Sequence, residues 1–346
     1  MAEQDREDLI RQHGAYDVRC DAVSCFEVFF GRSASMTPTV AHFERFPCFA
    51  GADGQDATPD FTVFFRDGSL LVGEISNLAR QPESLESLLH QLGRYHRLEQ
   101  GPSAPRAGGG HDLAPVSEVD VVLLIPNAEA NFARDRINAA IQDAEHDYDP
   151  EHRPTVLGYA YEDVSGRFVF TYDDRAGNPR PRAHGREPSL ASWLEGQSDT
   201  LFCASRHFAP VTVARRFMND RPPPSYVATV LWLEILPALA PEPQSDFVVT
   251  PTEVAEWMRR MYRWGRASIA QEGLEFLARA NLARQREGDW VVALKEIASG
   301  REEVRRELVR RTRPPRAHHE LYPDVVDGLE ERRRRTFPVA EDRCRC

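Results

Sequence analysis

Residues 59–76 read PDFTVFFRDGSLLVGEIS, and the pairing inside this stretch decides how the first half of the chain folds. Two apolar runs, 61–65 and 69–76, flank Asp67-Gly68, which is a hairpin signal. A two-residue loop at Asp67-Gly68 would set Asp60 opposite Ile75. A three-residue loop, Arg66-Asp67-Gly68 with Gly68 left-handed, sets Asp60 opposite Glu74. The second register also gathers Phe61, Val63, Phe65, Leu71 and Ile75 on one apolar face, and burial fixes register, so it is the one expected. Glu74 and Ser76 are two apart and share a side of the sheet. Two carboxylates meeting at a strand end can hold a hard divalent cation, which takes oxygen ligands and keeps waters for chemistry. An ionised Glu74 within an apolar strand also requires a partner.

Working outward, residues 18–31 carry Val23, Phe26 and Phe30 on one helical stripe. Val40–Phe49 reads as a strand. Residues 82–100 form an amphipathic helix with Leu85, Leu88, Leu92 and Tyr95 at helical spacing. The run VDVVLLI, 119–125, has the pattern of a strand buried on both faces. A helix over 130–144 and strands at 155–161 and 167–172 follow. Gly/Pro density marks 101–115 and 173–188 as loops. The fold class expected is therefore α/β, a mixed sheet flanked by helices over residues 1–186.

Residues 187–223 read as a connecting segment, and 224–300 as a second, mainly α domain. An apolar helix covers 224–240. Thr250-Pro251-Thr252-Glu253 is a capping box with proline at the first helical position, so a helix starts there and runs to about Trp264. Another helix spans about 268–280, and runs 282–285 and 290–294 form a hairpin about the turn 286–289. Three helices closed by a two-stranded wing is the winged-helix arrangement. Residues 301–346 form an Arg-rich helix and a tail. His318-His319 and Cys344-Arg345-Cys346 lack a second ligand pair at finger-like spacing, so the tail reads as solvated rather than zinc-binding.

The stretch 59–76 resembles the PD-(D/E)XK nuclease superfamily. Asp60 matches the motif aspartate and Glu74 the second acidic ligand, while Ser76 stands where lysine is usual. On the following helix, Gln91 and Tyr95 are similar to the Gln-x-x-x-Tyr motif of RecB-like members, whose glutamine lies beside the metal site. Glu27, within SCFEVFFG, matches the helix glutamate of many members, with Glu44 a second candidate. The resemblance covers about residues 15–172. It implies a restriction-endonuclease-like sheet and metal-dependent phosphodiester cleavage. Mg²⁺ or Mn²⁺ would be held by Asp60, Glu74 and Glu27, and Asp60, Glu74, Ser76, Gln91 and Tyr95 would form the catalytic set. Lysine in such relatives acts on the water and on developing negative charge; serine carries no charge and is a poor base. Arg80, one turn after the strand, could supply charge. Lys295 is the only lysine in the chain and lies in the other domain.

The 346 residues are 41% hydrophobic and 28% charged, which excludes collagen-like, fully disordered and disulfide-scaffold classes. No run approaches the ~20 apolar residues of a membrane span. The opening MAEQDREDLI lacks the pattern of a secretory signal, and six scattered cysteines read as reduced thiols, so a cytoplasmic location is expected. The net charge of −11 excludes a globally basic nucleic-acid coat, yet residues 251–300 hold eight Lys/Arg against seven Asp/Glu. Arg259, Arg260, Arg263, Arg266, Arg284 and Arg286 lie where winged helices approach phosphates. No Gly-Lys-Ser/Thr phosphate loop occurs, so ATP use is not expected. The expected function is a metal-dependent nuclease acting on nucleic acid, DNA first, in host defence or DNA processing. The alternative is a degenerate nuclease fold kept as a DNA-binding or assembly subunit. A third reading is a transcription regulator with an unrelated sensor domain. A protein partner through the wing or tail, and self-association, are compatible with each.

Overall fold

Nearly continuous burial along 61–65 and 69–75, as expected of strands covered on both faces, places these two strands inside a seven-stranded mixed sheet. The computed structural model describes residues 3–32, 39–51, 54–76, 82–106, 111–142, 153–162, 166–173, 177–180, 190, 200–204, 217–240, 246–262, 264–294 and 301–312. The first elements are α1 (Glu3–Arg32), β1 (Val40–Arg45), β2 (Phe49–Ala50), β3 (Asp56–Ala57), β4 (Phe61–Phe65) and β5 (Ser69–Ile75). They are followed by α2 (Pro82–His96), β6 (Gln100–Pro105), β7 (His111–Pro115), β8 (Glu118–Pro126) and α3 (Ala130–Gln142). Then come β9 (Thr155–Glu162), β10 (Arg167–Tyr172) and β11 (Thr200–Ala204). Sheet order is β1-β4-β5-β8-β9-β10-β11. Among its described strands, β5–β8 and β8–β9 pair in parallel and the other neighbours antiparallel. Helices α2 and α3 lie on the two crossovers that parallel pairing demands.

Each face of the sheet has its own cover. Phe64, Leu70, Val72, Val121, Leu123 and Ile125 pack with the apolar sides of α2 and α3. On the other face the α1 residue Phe26 stacks on Phe61 at 5.0 Å and meets Phe170 edge-on, also at 5.0 Å. Phe30 meets Phe65 edge-on at 6.0 Å. The hairpin adopts the three-residue loop: Phe61 pairs with Gly73 and Val63 with Leu71, and Gly68 has φ +86°. Glycine at 73 is required by close approach, because a Cβ there would overlap the Phe61 ring.

Three expectations are corrected. The 101–115 segment is not simply a loop, because β6 and β7 pair as an antiparallel hairpin. Gly101 is there for packing, since a Cβ would come within 2.9 Å of Leu70. The strand expected over 40–49 stops at Arg45. Phe46 turns the chain with φ +47°, and its N–H bonds the Asp60 carbonyl at 2.8 Å. Helix α1 begins at Glu3 rather than 18.

The second unit contains α4, built from Pro224–Val230, a π turn Leu231–Ile235 and Leu236–Leu239. It continues with β12 (Asp246–Val249), α5 (Pro251–Tyr262), α6 (Ala267–Arg279), β13 (Ala283–Arg286), β14 (Asp289–Ala293) and α7 (Arg301–Arg311). Compact unit one comprises Ala15–Arg221 with Met261–Trp264; unit two comprises Met1–Gly14, Pro222–Arg260 and Gly265–Cys346. The capping box forms as read: Glu253 N–H donates to Thr250 Oγ1 at 3.1 Å, and Thr250 N–H donates to Glu253 Oε2 at 2.8 Å. Helices α4 and α6 approach closely at Gly273, where a Cβ would lie 2.6 Å from Val227. The β13–β14 hairpin turns through Glu287 (φ 55°) and Gly288 (φ 98°), the left-handed pair of a type I′ turn. Strand β12, missed in the sequence, joins β14, so this sheet is three-stranded.

Candidate functional site

The β4–β5 ladder ends at Phe61 with Gly73, which sets Asp60 and Glu74 at the next position, while β5 continues against β8 through Glu74 and Ile75. Asp60 is only 6% exposed. Its N–H donates to the Gly73 carbonyl at 3.0 Å, and its Oδ2 accepts the Ile75 N–H at 2.7 Å. The side chain therefore takes over the hydrogen bonding where the backbone ladder ends.

Glu74 faces α2. Gln91 and Tyr95 are one turn apart on that helix, so both reach the same carboxylate. Gln91 Nε2 donates to Glu74 Oε1 at 3.1 Å, and the Tyr95 hydroxyl donates to Oε2 at 3.0 Å. Gln91 Nε2 also lies 2.6 Å from the Tyr95 oxygen, closing a triangle. Each Glu74 oxygen is thus held in a fixed orientation by a donor from outside the sheet.

Burial and crowding of negative charge perturb this cluster. Burial pushes Asp60 up from its ordinary value to about 7, against the Arg19 charge and the Ile75 N–H, with Asp220 adding to the rise. Glu74 is raised well above the usual range, first by burial and then by the charge of Asp60; the Tyr95 hydrogen bond opposes this. Tyr95 is raised by burial and by Glu74, and Tyr159 is pushed up to about 12, mainly by burial. Buried carboxylates raised by desolvation and by neighbouring acidic groups are a common feature of functional sites.

The cluster includes residues that motif reading did not find. Arg19, on α1, donates to Asp220 Oδ2 at 2.8 Å and to the Ile75 carbonyl at 3.2 Å. Arg19 lies on the same helical stripe as Val23, Phe26 and Phe30, and a charge on an apolar stripe was the available signal. Nothing local marks Asp220, which reaches the site across 201 positions of sequence.

Glu27 is elsewhere engaged: it pairs with Arg45 at 3.3 Å, and Arg45 also donates to the Cys20 carbonyl and Ser24 Oγ, each at 2.9 Å. Glu44 lies 2.9 Å from His42. Among the described residues no three His, Cys, Asp or Glu side chains are grouped to hold a metal ion. Ser76 follows on β5's exit, half-buried, with its N–H donating to the Leu124 carbonyl at 3.0 Å. Arg80, Arg263, Lys295 and the tail beyond Thr312 lie outside the described residues. In the second unit Arg259, Arg260, Arg266, Arg284 and Arg286 are all exposed, and Arg259 also donates to the Gly265 carbonyl at 3.1 Å.

No protein family, characterised protein or solved structure matches the chain. No helix among the described residues is long and apolar enough to cross a membrane.

Proposed function

We propose that the chain is a metal-dependent nucleic-acid phosphodiesterase of PD-(D/E)XK type, with a winged helix as its nucleic-acid-binding unit. The observation that carries this reading is the pairing of Asp60 with Glu74 at the β4–β5 exit, with Glu74 oriented by Gln91 and Tyr95. A mixed sheet with α1 on one face and α2 and α3 on the other supports a restriction-endonuclease-like domain. The order α4, β12, α5, α6, β13, β14 supports the winged helix.

The donor set suits Mg²⁺ or Mn²⁺. Both carboxylates are hard ligands, both are raised by burial and near neighbours, and a small divalent ion commonly uses one or two carboxylates with waters and substrate phosphates completing its shell. When bound, such an ion would polarise a phosphoryl oxygen. The chain's own groups have separate tasks. Gln91 and Tyr95 fix the Glu74 oxygens, the Ile75 N–H fixes Asp60, and Ser76 offers a neutral hydroxyl to a phosphate oxygen. Glu27, tied to Arg45, has no part in this scheme.

Cleavage of single- and double-stranded DNA and RNA with Mg²⁺ and Mn²⁺ tests the reading. Wild type is expected to cut at least one substrate. Asp60→Ala and Glu74→Ala should each abolish cutting while keeping wild-type circular dichroism, because each removes both a ligand and the charge that retains the ion. A second reading, a nuclease-like binding subunit, is favoured by one arginine, Arg19, that already supplies positive charge to the carboxylate cluster. It prevails if wild type and Ser76→Lys are both inert on all four substrates.

A further inference from the structure

Arg19 is placed at cost. It sits on the stripe of α1 that carries Phe26 and Phe30, its side chain is 18% exposed, and a charge so enclosed requires compensation. The compensation comes from the site itself. The guanidinium donates to the carbonyl of Ile75, the residue between Glu74 and Ser76 whose N–H binds Asp60. Burial alone would lower the Arg19 guanidinium, yet Asp60 first and Asp220 second hold it above its ordinary value. Its positive charge in turn stabilises both Asp60 and Glu74 as anions.

The far side of Arg19 is equally well built. Asp220 is 61% exposed, but the three residues just before it are each tied down. The Met218 N–H donates to the Tyr16 hydroxyl at 2.8 Å. The Asn219 amide donates to the carbonyls of Pro47, Thr58 and Pro59 at 3.3, 3.2 and 3.4 Å. Phe217 stacks on Trp264 at 4.5 Å. Segment 217–220 is thus anchored beside the chain that leads into Asp60.

We infer that Arg19 is the built-in cation of the site: it holds the Ile75 carbonyl, whose own N–H binds Asp60, so a divalent ion there must compete with its charge, and Asp220 is the anchor that draws it aside. The inference rests on the reading of Asp60 and Glu74 as metal ligands. Removing a positive charge next to two carboxylates strengthens their attraction for a cation, and the effect is large where water is scarce.

The test is the affinity of the full chain for Mn²⁺ alone, measured by calorimetry at pH 8, with no nucleic acid present. Arg19→Met should tighten Mn²⁺ at least tenfold, while Arg19→Lys, which keeps the charge, should stay within a factor of three of wild type. Tight binding by Arg19→Met with none by wild type upholds the internal cation and overturns the active-enzyme reading. Equal binding by wild type and Arg19→Met overturns the internal cation and leaves the metal site standing. Absence of binding in both overturns the two together. Should Arg19→Met not fold, Asp220→Asn decides. Without its anchor the arginine rests fully on the carboxylates and Mn²⁺ weakens at least threefold; unchanged or tighter binding overturns the inference.

Discussion

Asp60 in the sheet unit and Glu307 on α7 are both carboxylates with arginine nearby, and the chain drives them in opposite directions. Burial raises Asp60 to about 7 although Arg19 pulls the other way. Glu307 is lowered to about 2 by hydrogen bonds from Arg310 and Arg311, which outweigh the opposing effect of desolvation. The arginines contribute with the same sign in both regions. Desolvation is what differs, and it outweighs a nearby opposite charge once water is excluded. The sheet end therefore stores unfavourable charge that an incoming cation could relieve, whereas α7 uses its charges as ordinary surface pairs. Under the proposed reading, this contrast is what sets the sheet end apart as a candidate site.

The contrast breaks first at the packing that positions the strand exit. Gly73→Ala would push a methyl into the Phe61 ring, which is stacked under Phe26 of α1 and cannot swing away. A loss of ~3 kcal/mol is expected, at the upper end of overpacking costs. Denaturant titration should register it as a lower midpoint with unchanged slope. An unaltered midpoint would mean that the β4–β5 register is not what sets Asp60 opposite Glu74.

Asp60→Asn should act in the other direction. A carboxyl whose folded pKa is raised favours folding below its unfolded value and loses that contribution as pH rises through the folded value. For Asp60 the window runs from the ordinary carboxylate range to about 7. Asparagine keeps an acceptor for the Ile75 N–H and never ionises. The variant should therefore be more stable than wild type at pH 8, by on the order of 2 kcal/mol, with the gain shrinking toward zero near pH 4. Thermal melts in chelator across pH 4–8 measure it. A gain independent of pH would show that Asp60 is not the titrating group.

How much of this was readable depends on how far apart the cooperating residues lie. The Asp60–Glu74 register was legible because only one loop length buries Phe61, Val63, Phe65, Leu71 and Ile75 together. Gln91 and Tyr95 were legible through helical spacing, and the capping box through its local pattern. Arg19 and Asp220 were not, since no short-range rule connects a helix arginine with an aspartate 201 positions on. The β6–β7 hairpin was hidden by its glycines and prolines. Gly101 is demanded by contact with Leu70, and prolines are tolerated in a two-stranded pair with open edges. Glu27 matched a motif and sat at a plausible spacing, but sequence alone could not reveal that Arg45 would claim it.

In the helical unit the same kind of substitution should behave as surface physics requires. Thr250→Ala removes the side chain that accepts the Glu253 N–H and meets its carboxylate at 2.9 Å. A cost of about 1 kcal/mol is expected for losing such a cap. It should appear as faster amide exchange in the first turn of α5, with the β4–β5 hairpin unaffected. Protection lost equally in both places would mean that the cap supports the whole molecule rather than one helix.

The smallest effect tests the opening contrast most directly. Glu307 accepts from Arg310 at 2.7 Å through two nitrogens and from Arg311 Nε at 2.6 Å. These are partners three and four residues along one helix, and such pairs contribute about 0.3–0.5 kcal/mol when water reaches them. A carboxylate whose folded pKa is depressed contributes stability above its unfolded value and loses it as pH falls through the folded one. Glu307→Gln should therefore destabilise slightly at pH 7, and the deficit should fade between about pH 4.5 and 2. It should also vanish in 1 M salt, where the Debye length is about 3 Å. Melts at low and high ionic strength would separate it from Asp60→Asn, whose buried environment is poorly screened and whose sign is opposite. If both variants moved together with salt and with pH, desolvation would not be what distinguishes the two regions, and the sheet end would lose its claim to be a site.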